Sequence, residues 1–304
     1  MANVNLVQPP LLSRDGVLLD NSEQDLIRLA KLTELQTAQV QAYGAAHGVT
    51  FLEAAAATGV VTREFLMTAL SKRYNYPIIQ NDGQLATFSR ELVVGHEPFG
   101  PAAEAIRTMR TSLVSSAVSQ GTRAFVFIGA RDEQGTSFLA GNLAVAFAQM
   151  SVSTLLVDSN LRDPRCAAMF GLEANTVGLS DALLQGQVEH PPIVRDVLPG
   201  LSILPSGGVP PNPQELLCGG DFLNLVTNVN RTFGVVIYDS PSAMDYGDAY
   251  VIASRVGAAV IVARKNHASF ADLKQVSDRL RADQCTIVGT IANSAMFMAV
   301  RLLR

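Results

Sequence analysis

The chain has no tryptophan, only three cysteines among 304 residues, and only 16% charged residues. Cys166, Cys218 and Cys285 are far apart, so no pair has the spacing of a metal clip or a CxxC redox centre, and their odd number argues against a disulfide framework. Each reads as a small hydrophobe in a reducing compartment. A basic excess is also lacking. The formal net charge is −4, which leaves no electrostatic footprint for nucleic acid. No apolar run reaches the ~18 residues of a membrane helix, and the longest, VGAAVIVA, is strand-length. The opening MANVNLVQPPLLSRDG lacks a basic segment followed by an apolar core, so a secretory leader is not expected. These absences point to a cytoplasmic protein, peripheral to a membrane only through a partner.

What is present is apolar: 48% of residues are hydrophobic, enough for a sizeable core in one large and one small domain. Residues 1–20 read as a flexible arm. Residues 21–80 read as a small helical domain. In it, Thr33 and Gln36 form a capping box ahead of ELQTAQVQAYGAAHG, which ends at Gly48. Gly59 stops FLEAAAATG, Thr62 caps REFLMTALSKRY, and YNYPIIQ supplies a turn and a short strand. Residues 81–98 read as a linker, and residues 99–304 as the second domain, entered through a helix in AAEAIRTMRTSLVSSAV.

From residue 123, apolar β-branched runs alternate with helical stretches: AFVFIGA, STLLVDS, LSILPSG, GVVIYDS, GAAVIVAR and TIVGTIAN. Runs that are apolar throughout suit strands buried on both faces. Their alternation with helices predicts an α/β fold with a doubly wound, mainly parallel sheet.

The first run leads into GARDEQGTSFLAGNLAVAF. A strand, a glycine loop and a helix are the parts of a phosphate-binding loop, in which loop N–H groups and the helix N-terminus face the anion. Registered on Gly135 and Ser137, the lysine position of GxxxxGK(S/T) holds Thr136 and the first glycine position holds Ala130. Two later strands end in carboxylates, Asp158 (followed by Asn160 and Arg162) and Asp239. Such sheets collect ligands at the carboxyl edge, and paired carboxylates there suit magnesium and its waters. The other reading is that Asp158 and Asp239 cap the helix or turn that follows.

Together these segments, with GLSDALLQG and PPNPQELL, resemble the cytoplasmic domain of bacterial tyrosine kinases (BY-kinases), specifically the autokinases paired with polysaccharide chain-length-determinant proteins. The resemblance covers residues 89–293 and implies a MinD/ParA-like P-loop fold. The family's loop reads roughly PGEGKST; here it reads DEQGTSF. Thr136 stands at the lysine that offsets phosphate charge, and Glu133 at a glycine. A carboxylate there faces phosphate oxygens, and like charges at ~4 Å cost roughly 1 to 4 kcal/mol depending on dielectric.

The resemblance assigns nucleotide contact to Gly135, Thr136, Ser137 and Asn293. It assigns magnesium to Ser137, Asp158 and Asp239, residual catalysis to Asp158 and Arg162, and subunit contacts to Glu104, Arg107 and Arg110. Asn160 replaces an aspartate, and no tyrosine follows Tyr250, where the family carries its phosphorylated cluster. Three readings follow. One is a catalytically degenerate subunit that binds a membrane chain-length protein or an active kinase paralogue, as a homo- or hetero-oligomer. Another is an ATP-dependent autokinase or ATPase in which Arg131 stands in for the lysine. The third is a module that senses Mg-ATP or Mg-ADP without hydrolysis. The cofactor is Mg-ATP or Mg-ADP if the site works, and none if it does not.

The stretch GVVTREFLMTALSKRYNYP resembles the N-terminal module of type II secretion and pilus ATPases. TFLEAAAATG lacks the arginine and glycine with which some such modules bind cyclic di-GMP. That argues against the messenger and for docking.

Overall fold

The computed structural model describes residues 26–28, 30–49, 51–62, 65, 77–79, 88–98 and 100–294. The chain divides into two compact units, Met1–Ile78 and Ile79–Arg304.

In the first unit, helix α1 (Glu34–His47) begins at the expected capping box. Thr33 Oγ1 accepts from the Gln36 N–H at 3.3 Å, and Gln36 Oε1 accepts from the Thr33 N–H at 3.0 Å. It ends at Gly48 in the left-handed conformation. Helix α2 (Phe51–Ala57) follows, and Leu26, Val40, Ala54, Ala55 and Val61 form a small core. Thr62 Oγ1 accepts from the Phe65 N–H at 3.2 Å, as a cap does; most of the helix expected after it lies outside the described residues. Residues 77–79 carry no strand, which corrects that expectation.

The second unit is a seven-stranded sheet in the order β3-β4-β2-β5-β1-β6-β7. Its strands are β1 (Ala124–Gly129), β2 (Thr154–Asp158), β3 (Val194–Leu198), β4 (Leu201–Leu204), β5 (Val235–Asp239), β6 (Ala258–Arg264) and β7 (Thr286–Asn293). All pairings are parallel except β3 with β4. The six expected strands are there; β3, an edge strand, is additional.

Alternate residues of each strand feed two cores, as a pleated sheet covered on both faces requires. Phe125, Phe127, Leu156 and Ile237 face helices α4 (Pro101–Ser116) and α5 (Thr136–Ala148). Val126, Ile128, Val157 and Tyr238 face the other layer. That layer includes α9 (Gly220–Thr232), α10 (Asp248–Val256) and α11 (Phe270–Ala282). Full burial stabilises each such side chain by about 1.5–3 kcal/mol. Shorter helices complete the unit: α3 (Val93–His96), α6 (Cys166–Met169), α7 (Leu179–Leu184) and α8 (Pro213–Cys218).

The segment 88–98, expected to be linker, belongs to this unit's core. Leu92 and Val94 are fully buried. Buried Asn142 of α5 accepts from the Val94 N–H at 3.0 Å and donates to the Glu91 carbonyl at 2.8 Å. Among the described residues, no helix is long and apolar enough to cross a membrane.

Candidate nucleotide and metal site

The carboxyl ends of β1, β2, β5, β6 and β7 converge on the loop between β1 and α5. Gly135 (φ 87°) closes that loop and caps α5 through its backbone alone. The first N–H groups of a thirteen-residue helix thus lack a side-chain cap, the arrangement that favours an anion. A Cβ at Gly135 would collide with Asn293 Nδ2, so both space and φ demand glycine.

Two side-chain amides and one arginine set the loop's shape. Gln134 is buried, and its Oε1 accepts from the Ala130 N–H at 3.0 Å across the loop. Asn293, expected to read a base, donates from Nδ2 to the Gln134 carbonyl at 2.9 Å. Arg264 Nη1 donates to the Glu133 carbonyl at 2.9 Å. Glu133 is held left-handed, with φ 59°, a conformation that disfavours any side chain by about 1–2 kcal/mol. Thr136 Oγ1 lies 2.9 Å from where a Cβ on Gly129 would stand, so the short side chain folds back over the loop. Arg131 points away: it grips Asp272 of α11 through two bonds of 2.7 and 3.2 Å. That partner raises the Arg131 pKa and lowers the Asp272 carboxyl.

Charge gathers instead at the strand ends. Asp158 and Asp239 are register partners on β2 and β5, and both are fully buried. Asp158 Oδ2 accepts from the N–H groups of Arg165 at 3.1 Å and Cys166 at 2.9 Å. It therefore caps the turn into α6. Its Oδ1 has no hydrogen-bond partner, nor has Oδ1 of Asp239. Cys166 Sγ lies 3.8 Å from Asp239 Oδ2. Ser137 and the Ser240 N–H sit close enough to favour an ionised Asp239, but neither bonds its Oδ1. Burial pushes both carboxyls up, and Asp239 has the charge of Asp158 against it as well. Burial also raises the Cys166 thiol, reinforced by the two carboxylates.

Arg162 is held by fully buried Asp248 at the start of α10, through bonds of 2.7 and 3.1 Å, and lies 4.3 Å from the Tyr246 ring centroid. Asn160 Oδ1 accepts from the N–H groups of Arg162 and Asp163, which makes it a turn former. In α4, Arg107 bonds Glu104 at 2.9 Å and the Pro98 carbonyl, and Arg110 reaches the Ala146 carbonyl at 2.7 Å. Both arginines therefore bind within their own unit, and Glu104 is the more exposed side chain of that trio.

The structure thus brings Ser137, Asp158 and Asp239 together, and sets Gly135 and Asn293 against each other. Arg162 is drawn to α10. Sequence reasoning missed Gln134 as a brace, Asp248 as the anchor of Arg162, and Cys166 as a neighbour of the carboxylates.

No protein-family profile matches the chain. The tyrosine-protein kinase YwqD of Bacillus subtilis is 29% identical over 204 residues, 67% of this chain and 86% of that protein. The putative tyrosine-protein kinase EpsB of Ralstonia solanacearum is 28% identical over 214 residues, 70% of this chain but only 28% of that longer protein. Among solved structures, the kinase domain of the Escherichia coli tyrosine kinase ETK superposes with a TM-score of 0.64 at 26% identity, over 77% of this chain and 90% of that one. The cell division ATPase MinD of Pyrococcus furiosus shares the fold, with a TM-score of 0.50 at 20% identity over 57% and 72% of the two chains. In sequence and in fold, the P-loop unit of this chain is similar to the family of bacterial tyrosine kinases, and it shares its fold with MinD.

Proposed function

We propose that the chain is a catalytically degenerate member of that family. On this reading it acts as a regulatory or assembly subunit in exopolysaccharide synthesis or export, binding a membrane chain-length-determinant protein or an active kinase. The observation that carries the reading is the loop itself. It keeps a glycine-capped helix N-terminus, but the lysine position is a threonine that folds back on the loop, and Glu133 puts an acidic residue where the family has glycine. Arg131, the cation within the loop itself, is committed to Asp272. The strand-end donors are fully buried and include a thiol, a poor fit to magnesium, which keeps several waters. ATP and magnesium do not fit these residues.

A second reading, a nucleotide sensor, draws on the open N-terminus of α5 and the left-handed Gly135, which still favour an anion. Incubating the purified chain with Mg-ATP, alone and with the cytoplasmic face of a chain-length protein, tests the first reading. Phosphotyrosine read by mass spectrometry is expected to be absent from both mixtures. Its appearance on the chain or on its partner overturns the proposal.

A further inference from the structure

Asp158, Cys166 and Asp239 each offer one ligand atom, and these atoms lie within 4.8 Å of one another. They come from three elements: the end of β2, the first residue of α6 and the end of β5. All three are fully buried, and two carboxylate oxygens, Asp158 Oδ1 and Asp239 Oδ1, have no hydrogen-bond partner. A buried polar atom left unpaired costs about 1–3 kcal/mol. Two of them, on residues paired across neighbouring strands and close to a buried thiol, call for a positive partner.

We propose that these three side chains form a thiolate–dicarboxylate site for one thiophilic divalent cation of the zinc class. Zinc binds sulfur at about 2.3 Å and carboxylate oxygen at about 2.0–2.2 Å in a tetrahedron, which sets sulfur and oxygen about 3.6 Å apart. Cys166 Sγ and Asp239 Oδ2 stand 3.8 Å apart and the three donor atoms lie within 4.8 Å of one another, so seating the ion draws them together by up to about 1.4 Å. Magnesium prefers six oxygens and retains water, whereas a thiolate selects the softer cation. Ser137 beside Asp239 orients that carboxylate from outside the ligand set, as outer partners of metal sites do. On binding, the thiol and any protonated carboxyl release their protons to solvent. The bound ion ties β2, β5 and the start of α6 together. The site shares Asp158 and Asp239 with the magnesium set that the resemblance implies, and its readout, a thiolate-to-metal band, is independent of phosphotransfer.

The test uses the full chain, refolded under reducing conditions with cobalt(II) or zinc and freed of excess metal by gel filtration. One metal per chain is expected by elemental mass spectrometry, with a thiolate-to-cobalt charge-transfer band in the near ultraviolet. The band is lost in Cys166→Ser and kept in Cys218→Ser. Zinc displaces the cobalt, and a large excess of magnesium does not. Absence of retained metal, a band that survives Cys166→Ser, or displacement by magnesium overturns the site. Should Cys166→Ser fail to fold, X-ray absorption of the cobalt-loaded native chain decides. One sulfur neighbour at about 2.3 Å supports the site, and an oxygen-only shell overturns it.

Discussion

The loop after β1 and the strand ends of β2 and β5 lie side by side at the carboxyl edge of the sheet, yet different forces hold them. Side-chain amides do most of the shaping of the loop, Gln134 to the Ala130 N–H and Asn293 to the Gln134 carbonyl, with Arg264 of β6 on the Glu133 carbonyl. The loop's one arginine faces outward to Asp272. Buried ionisable groups dominate the strand ends: Asp158, Asp239 and Cys166, with Asp248 beside them gripping Arg162. The loop has a glycine-capped helix N-terminus but no lysine. The edge has kept its carboxylates without the open, hydrated setting that magnesium uses. Shape and charge, which act together in a working P-loop, are separable here.

The sharpest way to break this contrast is to remove charge from the charge-held half. Arg162→Ala leaves Asp248 buried without its cation, and chemical unfolding should show a loss of about 3 kcal/mol. Adding Asp248→Asn should recover at least half of the loss. A single-variant loss below about 1 kcal/mol would place Arg162 among surface pairs instead. Next in size is Asn142→Ala, which strands the Val94 N–H and the Glu91 carbonyl. It should cost about 2 kcal/mol and speed hydrogen exchange across 88–98; unchanged exchange there would show the segment to be held by packing alone. In the neutral half, Gln134→Met removes the brace but also an amide nitrogen that has no partner. Its cost should stay within about 1 kcal/mol, and a larger one would make the loop as dependent on polar contacts as the edge. Smallest of all, Arg131→Ala should leave the unfolding midpoint unchanged, since that arginine is half-exposed. A drop in nucleotide affinity on this substitution would revive Arg131 as the missing cation.

How much of this was legible in the sequence depends on where each residue sits. Five of the six apolar runs announced strands that are mostly buried on both faces, which leaves few polar positions to confuse the pattern; β7, at the other edge, showed through its β-branched residues. β3 escaped because an edge strand is half-exposed: Arg195 and Asp196 interrupt it, and Asp196 takes φ 50°. The segment 88–98 looked like linker because its polar residues and Pro98 outweigh Leu92 and Val94 locally. Its anchor, Asn142, lies about fifty residues away. Asp158 and Asp239 were readable as strand-end carboxylates. Their meeting with Cys166 was not, since the ligands come from three elements and no sequence spacing records it. The functional assignment of Asn293 rested on resemblance, and the contact it makes is with the loop itself.

The separation of shape from charge is tested most directly by calorimetry of Mg-ATP and Mg-ADP with the native chain and with Glu133→Gly/Thr136→Lys. If the loop lacks only its charge, the native chain gives no binding heat and the double variant binds in the micromolar range. Micromolar binding by the native chain, or silence from both proteins, would contradict it.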